Sequence, residues 1–244
     1  LIKNGSGSVT LSSNNSYTGS TTINSGILKV SGGNAIANTG LVALANTAGA
    51  TFQVVGSETI GALSGGGTTG GSVVIDNGQI LSLGSGTQTF GGAISGQGGL
   101  TVSGAIQTLT GANTYQGATL ISSGTLQIGD GVTDGSIANT SGITPNGTLL
   151  LNLATDQNYS VGIDGSGGIA KTGSGILTLS GSNSYGGTTS ITTGTVKAGS
   201  TTALGTNSAV TLANTAGVTL DLNGNSLTIG SLAGGGATGG TVAL

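Results

Sequence analysis

The acidic residues are the first candidates for chemistry, because the chain has seven Asp and Glu residues and neither histidine nor cysteine. The segment Asp130–Gly135, Asp-Gly-Val-Thr-Asp-Gly, could form a calcium-binding turn, since calcium prefers clustered oxygen ligands. Asp-Gly is also a common turn pair, and the stacked glycine-rich nonapeptides of calcium-binding β-rolls are missing. An ordinary turn is the favoured interpretation, and the sequence predicts neither a metal nor another cofactor.

Three further aspartates could supply the paired carboxylates of a glycosidase: Asp156, Asp164 and Asp221. All three lie among Gly, Asn and Ser residues, a context typical of turns. A lyase of the pectate-lyase type would need a basic proton abstractor and several calcium-binding acids. The chain has no arginine, and its lysines Lys3 and Lys171 recur at equivalent repeat positions, as structural residues do. A carbohydrate-active β-helix enzyme stays an alternative, but no catalytic residue is predicted.

Tyrosine and threonine suggest two binding functions. Tyr17, Tyr115 and Tyr185 could stack on sugars, but they are 98 and 70 residues apart and would lie several turns from one another. We expect each to cover a corner beside an Asn that satisfies a turn. A Thr-rich ice-binding solenoid is a second alternative, which the irregular occurrence of Thr-x-Thr disfavours.

Composition excludes several other classes of protein. Four lysines and a net charge of -3 leave too little positive charge for nucleic-acid binding. The 52 glycines disfavour helix as a main element. A disordered Gly/Ser linker is a further alternative, but 35% hydrophobic residues favour a folded chain.

Internal repetition is the strongest signal in the sequence. Residues 3–54 align without a gap to residues 171–222, with 24 of 52 positions identical. A third copy of the motif L-[ST]-x-x-N-x-Y-x-G-x-T-x-I-x-x-G-x-[LV] lies between them, around Tyr115. Such repetition predicts a stack of similar layers in which each layer contacts its neighbours.

The local pattern predicts short strands. Apolar residues alternate in bursts such as Leu28/Val30 and Leu177/Leu179, and Gly, Asn, Ser or Thr clusters bound each burst. Six aromatic residues are too few to fill the core of a β-sandwich about 10 Å thick, whereas stacked aliphatic residues can fill a narrow solenoid. The sequence therefore predicts an all-β parallel β-helix with turns of roughly 20–30 residues.

Residues 173–189, GSGILTLSGSNSYGGTT, closely resemble the autotransporter-associated β-strand repeat, also called the passenger-associated transport repeat. The resemblance implies a right-handed single-stranded parallel β-helix in the passenger of a type V secreted protein of a Gram-negative bacterium. It also implies secretion to the cell surface, with a C-terminal β-barrel that anchors the precursor in the outer membrane or with later release of the passenger.

We therefore expect residues 1–244 to be one β-helix fragment, truncated at both ends, with repeat motifs near 3–30, 101–128 and 171–198. The expected function is a structural stalk that supports secretion-coupled folding and displays adhesive or effector regions. Its expected partners are the flanking turns and barrel of the same polypeptide, together with host or cell-surface ligands. The predicted structural repeat positions are Leu11, Asn15, Tyr17, Gly19, Thr21, Ile23, Gly26, Leu109, Asn113, Tyr115, Gly117, Thr119, Ile121, Gly124, Leu179, Asn183, Tyr185, Gly187, Thr189, Ile191 and Gly194.

Overall fold

The computed structural model describes all 244 residues, which form strands and turns without a helix. The short strands alternate inward and outward residues, as β4 (Ile27–Val30) does by burying Leu28 and Val30. Strands that lie one turn apart pair in parallel, as β3 does with β5, and the chain winds through about 12 turns of a β-solenoid. The prediction of an all-β parallel solenoid is thus confirmed.

The chain divides into two compact units, which are described separately. The first comprises residues 1–126 and 135–141, and the second comprises residues 127–134 and 142–244.

The first unit contains two sheets of parallel strands. One follows the order β1-β3-β5-β8-β11-β13, with β10 paired to β13 and β7 paired to β10, and the other follows β2-β4-β6-β9-β12. The strands are β1 (Ile2–Lys3), β2 (Ser8–Leu11), β3 (Thr21–Ile23), β4, β5 (Leu41–Leu44), β6 (Thr51–Val54), β7 (Glu58–Ile60), β8 (Ala62–Gly65), β9 (Ser72–Ile75), β10 (Ile80–Leu83), β11 (Thr87–Phe90), β12 (Ile94–Gly96), β13 (Gly99–Leu109) and β14 (Thr119–Ile128), the last two residues of β14 belonging to the second unit.

The register of the first unit shows how its core is built. Thr21 pairs with Val42, and Val42 pairs with Leu63, so each of these turns takes 21 residues. Inward positions therefore stack on inward positions of the next turn, and Phe52 lies directly above Leu28 in the second sheet, both fully buried. A one-residue slip would turn these side chains outward, so burial fixes the register.

The second unit is built in the same way from two parallel sheets, β16-β18-β20-β22-β24 and β17-β19-β21-β23-β25. Ile169 pairs with Thr189 and Thr189 with Val210, so its turns take 20 or 21 residues here. The strands are β15 (Ile143–Pro145), β16 (Thr148–Asn152), β17 (Gln157–Tyr159), β18 (Gly168–Thr172), β19 (Ile176–Leu179), β20 (Thr189–Ile191), β21 (Thr195–Ala198), β22 (Ala209–Leu212), β23 (Thr219–Asp221), β24 (Ser231–Gly234) and β25 (Thr241–Ala243).

None of the chain's secondary structure supplies an apolar helix of membrane-spanning length.

Candidate functional site

The repeated tyrosine begins a chain of hydroxyl groups that links one turn to the next. In the first unit, the Tyr115 hydroxyl lies 2.6 Å from Thr119 Oγ1, which donates to Thr140 Oγ1 at 3.0 Å. Because the Thr119 proton is used in that bond, Tyr115 must be the donor to Thr119. Thr140, on the following turn, donates to the carbonyl of Gly117 at 2.5 Å. The motif therefore uses its tyrosine and threonine to join successive turns.

The third copy, in the second unit, repeats this arrangement. The Tyr185 hydroxyl lies 2.7 Å from Thr189 Oγ1, which lies 2.8 Å from Ser208 Oγ. Both tyrosines are almost completely buried, and burial raises the pKa of Tyr115 and of Tyr185 above the usual value for tyrosine. Each phenol therefore stays protonated and serves as a hydrogen-bond donor or acceptor inside the fold.

The repeated asparagine satisfies backbone groups at the corners, including an amide of the preceding turn in each of the two buried copies. Asn113 accepts a hydrogen bond from the Ile94 amide at 2.9 Å and donates to the Gly111 carbonyl at 2.9 Å. Asn183 accepts from the Ile163 amide at 2.9 Å and donates to the Ala203 carbonyl at 2.7 Å. Ile94 begins β12, the last strand of its sheet, so its amide has no strand partner on the outer side and the Asn113 side chain takes the place of a backbone partner.

The repeated glycines serve two separate purposes. Gly194 has φ +73°, a left-handed conformation that glycine adopts without strain, and Gly26 and Gly124 are alike with φ +66° and +78°. Gly117 has no positive φ, but a Cβ atom there would lie 2.6 Å from the Gly99 backbone nitrogen of the preceding turn. The motif therefore fixes glycine both at a corner and at a close approach between turns.

The three copies differ in burial. Asn15 is exposed and Tyr17 is half-buried, whereas the corresponding residues of the other two copies are buried. Tyr17 still lies 2.9 Å from Thr21 Oγ1, but no turn lies against Gly19, where a Cβ atom would meet nothing within 4 Å. The remaining predicted positions belong to the core, and all are fully buried except Leu11 and Gly187. These two are half-buried, and Gly187 packs closely against the backbone of the preceding turn. The fully buried positions are Leu109, Leu179, Thr21, Thr119, Thr189, Ile23, Ile121 and Ile191.

A buried lysine is the feature that our sequence prediction missed. The Lys171 side chain has no exposed surface, and its Nζ donates to the carbonyls of Thr172 at 2.7 Å and Gly173 at 2.8 Å, with that of Thr193 at 3.5 Å. Loss of hydration lowers the pKa of Lys171 to about 8, an effect that Asp134 and Asp156 partly oppose. Three backbone carbonyls therefore hold an ammonium group without a carboxylate in contact.

The first copy has the same carbonyl cage. Lys3 Nζ donates to the carbonyls of Asn4 at 3.0 Å, Gly5 at 2.7 Å and Ser25 at 2.9 Å. The middle copy has a fully buried Val102 at the corresponding place on its strand, and no cage forms there. Recurrence of lysine at positions 3 and 171 was the available signal, but the carbonyls that surround it are visible only in the fold.

The aspartates that could have formed a metal or catalytic site serve separate turns. Asp130 Oδ1 accepts from the amides of Val132 at 2.9 Å and Thr133 at 2.7 Å, and these bonds lower the pKa of Asp130, that from Thr133 most. Asp134 accepts from the Ala154 amide at 2.7 Å and from the Thr155 amide and hydroxyl, and Asp156 accepts from the Ile176 amide at 2.8 Å. Thr144 donates to Asp164 at 2.6 Å, and Asp221 lies 3.9 Å from Lys197. No group of three or more acidic side chains converges anywhere in the chain.

One acid is buried. Glu58 is 2% exposed, and its Oε1 accepts from the Ile36 amide at 2.7 Å while its Oε2 has no hydrogen-bond partner. Burial raises the pKa of Glu58, although hydrogen bonds from the backbone at Ile36 and Ala35 oppose the change. Its bond to Ile36 joins two turns, as the repeated asparagines do.

Comparison with known proteins agrees with this repeat structure. The family model of the passenger-associated transport repeat matches residues 1–30, 105–128 and 169–198. The chain is similar to the adhesin BmaC autotransporter of Brucella suis biovar 1 (strain 1330), with 37% identity over 280 aligned positions. That alignment covers the whole chain but 8% of the relative, so the chain spans a small part of that protein's length. No solved structure matches the chain. The family resemblance predicted from the sequence is confirmed.

Proposed function

We propose that this chain, a passenger segment of a type V secreted surface protein carrying passenger-associated transport repeats, works as a structural stalk. It supports folding during secretion and displays adhesive regions carried elsewhere in the same polypeptide. The similar Brucella protein is named an adhesin, which favours display of adhesive rather than catalytic regions.

The contacts between turns are the observation that carries this proposal. Neighbouring turns are joined by hydrogen bonds from Asn113, from Asn183 and from the Tyr–Thr hydroxyl chains. Each turn thus completes the one before it, and its buried groups are satisfied only after the next turn is in place. A chain built in this way can fold progressively as it emerges at the cell surface.

We further propose that the segment has no catalytic activity. Asp156, Asp164 and Asp221 each have a local hydrogen-bond or ion-pair partner, and no acidic cluster is available to a metal or a glycoside. Its partners in this proposal are flanking turns and an outer-membrane anchor of the same polypeptide, together with host or cell-surface ligands of the displayed regions. The location is the bacterial surface, whether anchored or released.

Deletion of a whole turn tests the stalk role. In the full-length parent autotransporter, removing residues 42–62 joins Leu41 to Leu63. Leu63 pairs with Val42 from the next turn, so after the deletion it takes the position of Val42. Both sheets keep their register, because Ile27 can then pair with Ser72 as it does with Thr51. Surface display, measured by protease accessibility on whole cells, should stay close to that of the wild type.

The matched control removes an odd number of residues from the same turn, 42–52, so that the outward residue Gln53 takes the inward position of Val42 and the strand presents its wrong face to the core. Its display should fall several-fold. Equal display of the two deletions would refute a role that depends on stacking, and loss of display in the whole-turn deletion would do so as well.

A further inference from the structure

A hollow of the first unit lies at the corner beside the middle repeat. It has a volume of about 600 Å³ and is lined by Gly96, Gln97, Thr114, Gln116 and Asn139. Gln97 also lines two adjoining hollows of about 430 and 520 Å³, so the three form one continuous depression along the corner. Neither the family match nor the adhesin similarity assigns a role to this depression.

The amide side chains that line it come from successive turns. The backbone amides of Gln116 and Gly117 donate to the carbonyls of Gly96 and Gly98, each at 3.0 Å, which places Gln116 opposite Gln97. The Ser141 backbone amide donates to the Gln116 carbonyl at 3.0 Å, so Asn139 lies one residue before the position opposite Gln116 on the following turn. Neighbouring turns of parallel strands are about 4.8 Å apart. The hollow is therefore lined by one carboxamide from each of three successive turns.

These carboxamides are free, unlike most others in the chain. Asn113 and Gln107 use both their oxygen and their nitrogen on backbone groups. Gln97, Gln116 and Asn139 are exposed, and their side chains make no hydrogen bond within the chain. Each offers one acceptor and two donors to a molecule lying in the hollow.

The surroundings of the row restrict the class of ligand. No lysine lines the three hollows, and the one charged residue there is Asp76, which accepts a hydrogen bond from Gln53 at 3.0 Å. An anionic ligand therefore finds no countercharge. Next to the row, Ile80 is 45% exposed and Leu120 is half-buried, so an apolar edge accompanies the amides.

The third repeat provides an internal comparison. Gly186 occupies the place of Gln116, since its amide donates to the Gly165 carbonyl as that of Gln116 does to Gly96. Ser166 then corresponds to Gln97. Asn207 corresponds to Asn139, because the residue after each one, Ser208 or Thr140, is hydrogen-bonded to the threonine of its own repeat. Two of the three amides are thus specific to the middle copy, and the fold of the repeat does not require them.

We propose that this depression is a binding site for a neutral linear polysaccharide that lies along the corner, across several turns. Carboxamides match sugar hydroxyls because both groups donate and accept, and the turn spacing is close to the length of one sugar residue in an extended glycan. Ile80 and Leu120 contact the C–H faces of the rings. An extended peptide fits less well, because peptide recognition by strand addition needs an unpaired strand edge. The outer edge of β12 is already covered, since the backbone amides of Thr114 and Gln116 donate to the carbonyls of Ile94 at 2.8 Å and Gly96 at 3.0 Å. This inference is independent of the stalk role, which the turn deletion tests separately.

The test is a titration of the 244-residue chain, labelled with ¹⁵N, with neutral linear hexasaccharides of β1,4- and α1,4-linked glucose and with an oligogalacturonate of the same length. We expect saturable shifts of the Gln97, Gln116 and Asn139 side-chain amide signals with a neutral sugar and none with the oligogalacturonate. The triple variant Gln97→Ala, Gln116→Ala, Asn139→Ala should weaken binding by about tenfold or more, since three hydrogen bonds are lost.

The control variant Asn207→Ala changes an equally exposed amide at the corresponding place in the third repeat and should bind as the wild type does. The proposal is overturned if neither neutral sugar binds, if only the oligogalacturonate binds, or if the triple variant binds as tightly as the wild type. Because none of the substituted side chains is bonded within the chain, circular dichroism of the variants should be unchanged.

Discussion

The asparagine of the repeat provides a sharp test of how turns are held together, because the same substitution can be made at a buried and an exposed copy within the first unit. Asn113 is 2% exposed and Asn15 is exposed. Replacing Asn113 with alanine removes the acceptor of the buried Ile94 amide and the donor to the Gly111 carbonyl.

The expected magnitude follows from those two bonds. The Ile94 amide loses its partner, which costs about 1–3 kcal/mol, whereas the Gly111 carbonyl keeps the bond from the Ser136 amide at 3.3 Å and loses about 1 kcal/mol. Asn113→Ala should therefore lower the free energy of unfolding by roughly 2–4 kcal/mol. Asn15 donates to the carbonyls of Ser13 at 2.9 Å and Ala35 at 3.0 Å, but water can replace an exposed amide. Asn15→Ala should therefore cost about 1 kcal/mol or less.

Guanidinium unfolding followed by circular dichroism measures both values, and hydrogen exchange gives a local check. The Ile94 amide should lose protection in Asn113→Ala beyond the change in its neighbours, because its acceptor is gone. Equal destabilisation by the two substitutions would refute the reasoning, since it would mean that asparagine acts through local turn preference and not through bonds between turns.

Two further predictions concern the second unit. Gly194→Ala should lower the free energy of unfolding by roughly 2 kcal/mol or more in thermal unfolding, because φ is +73° and the new Cβ would lie 3.0 Å from the Gly175 carbonyl. The control Gly186→Ala, where nothing lies within 4 Å of the new Cβ, should change the free energy of unfolding by less than about 0.5 kcal/mol. Equal effects of the two substitutions would contradict the role assigned to Gly194. Burial lowers the pKa of Lys171 to about 8, so above that pH the folded state releases a proton that the unfolded state retains up to about 10.5. The free energy of unfolding should therefore rise by roughly 2 kcal/mol between about pH 7.5 and pH 9.5, as measured by denaturant unfolding at each pH. Lys171→Met should abolish this rise. A free energy of unfolding that falls over that range in the wild type would contradict the predicted direction.

The fold was largely predictable because its determinants are local. Strand β19 was expected from the alternation of Leu177 and Leu179, and the structure buries both. Repetition then supplied the stacking, since like segments with like patterns can share one aliphatic core. Parallel pairing followed from the lack of aromatic bulk, which left a narrow solenoid as the architecture that these residues could fill.

The polar interior was not predictable, because it depends on atoms that lie about one turn apart in sequence. The cage of Lys171 contains the Thr193 carbonyl, and the bond of Glu58 goes to the Ile36 amide. A carbonyl leaves no trace in residue type, so neither contact has a sequence signature. The row of Gln97, Gln116 and Asn139 is hidden for a different reason: its members do not repeat along the sequence, and they meet only after the turn length is known.

The middle repeat shows which parts of the motif are tied to one another. The middle copy is one residue shorter than the third copy at this corner. The segment from the first core residue of the strand to the motif leucine runs from Leu100 to Leu109 in the middle copy and from Ile169 to Leu179 in the third. Without the Gly-x-Gly corner that supplies carbonyls, an ammonium group would be buried without partners, and the cost of burying an unpaired charge is large. Val102 stands there instead, and the family match begins three residues later, at residue 105. Lysine and the glycine corner therefore occur together or not at all, whereas Asn113, Tyr115 and Thr119 keep their bonds between turns in either case. The bonds between turns are the common requirement of the repeat, and the lysine cage is one of two ways to complete the corner beside them.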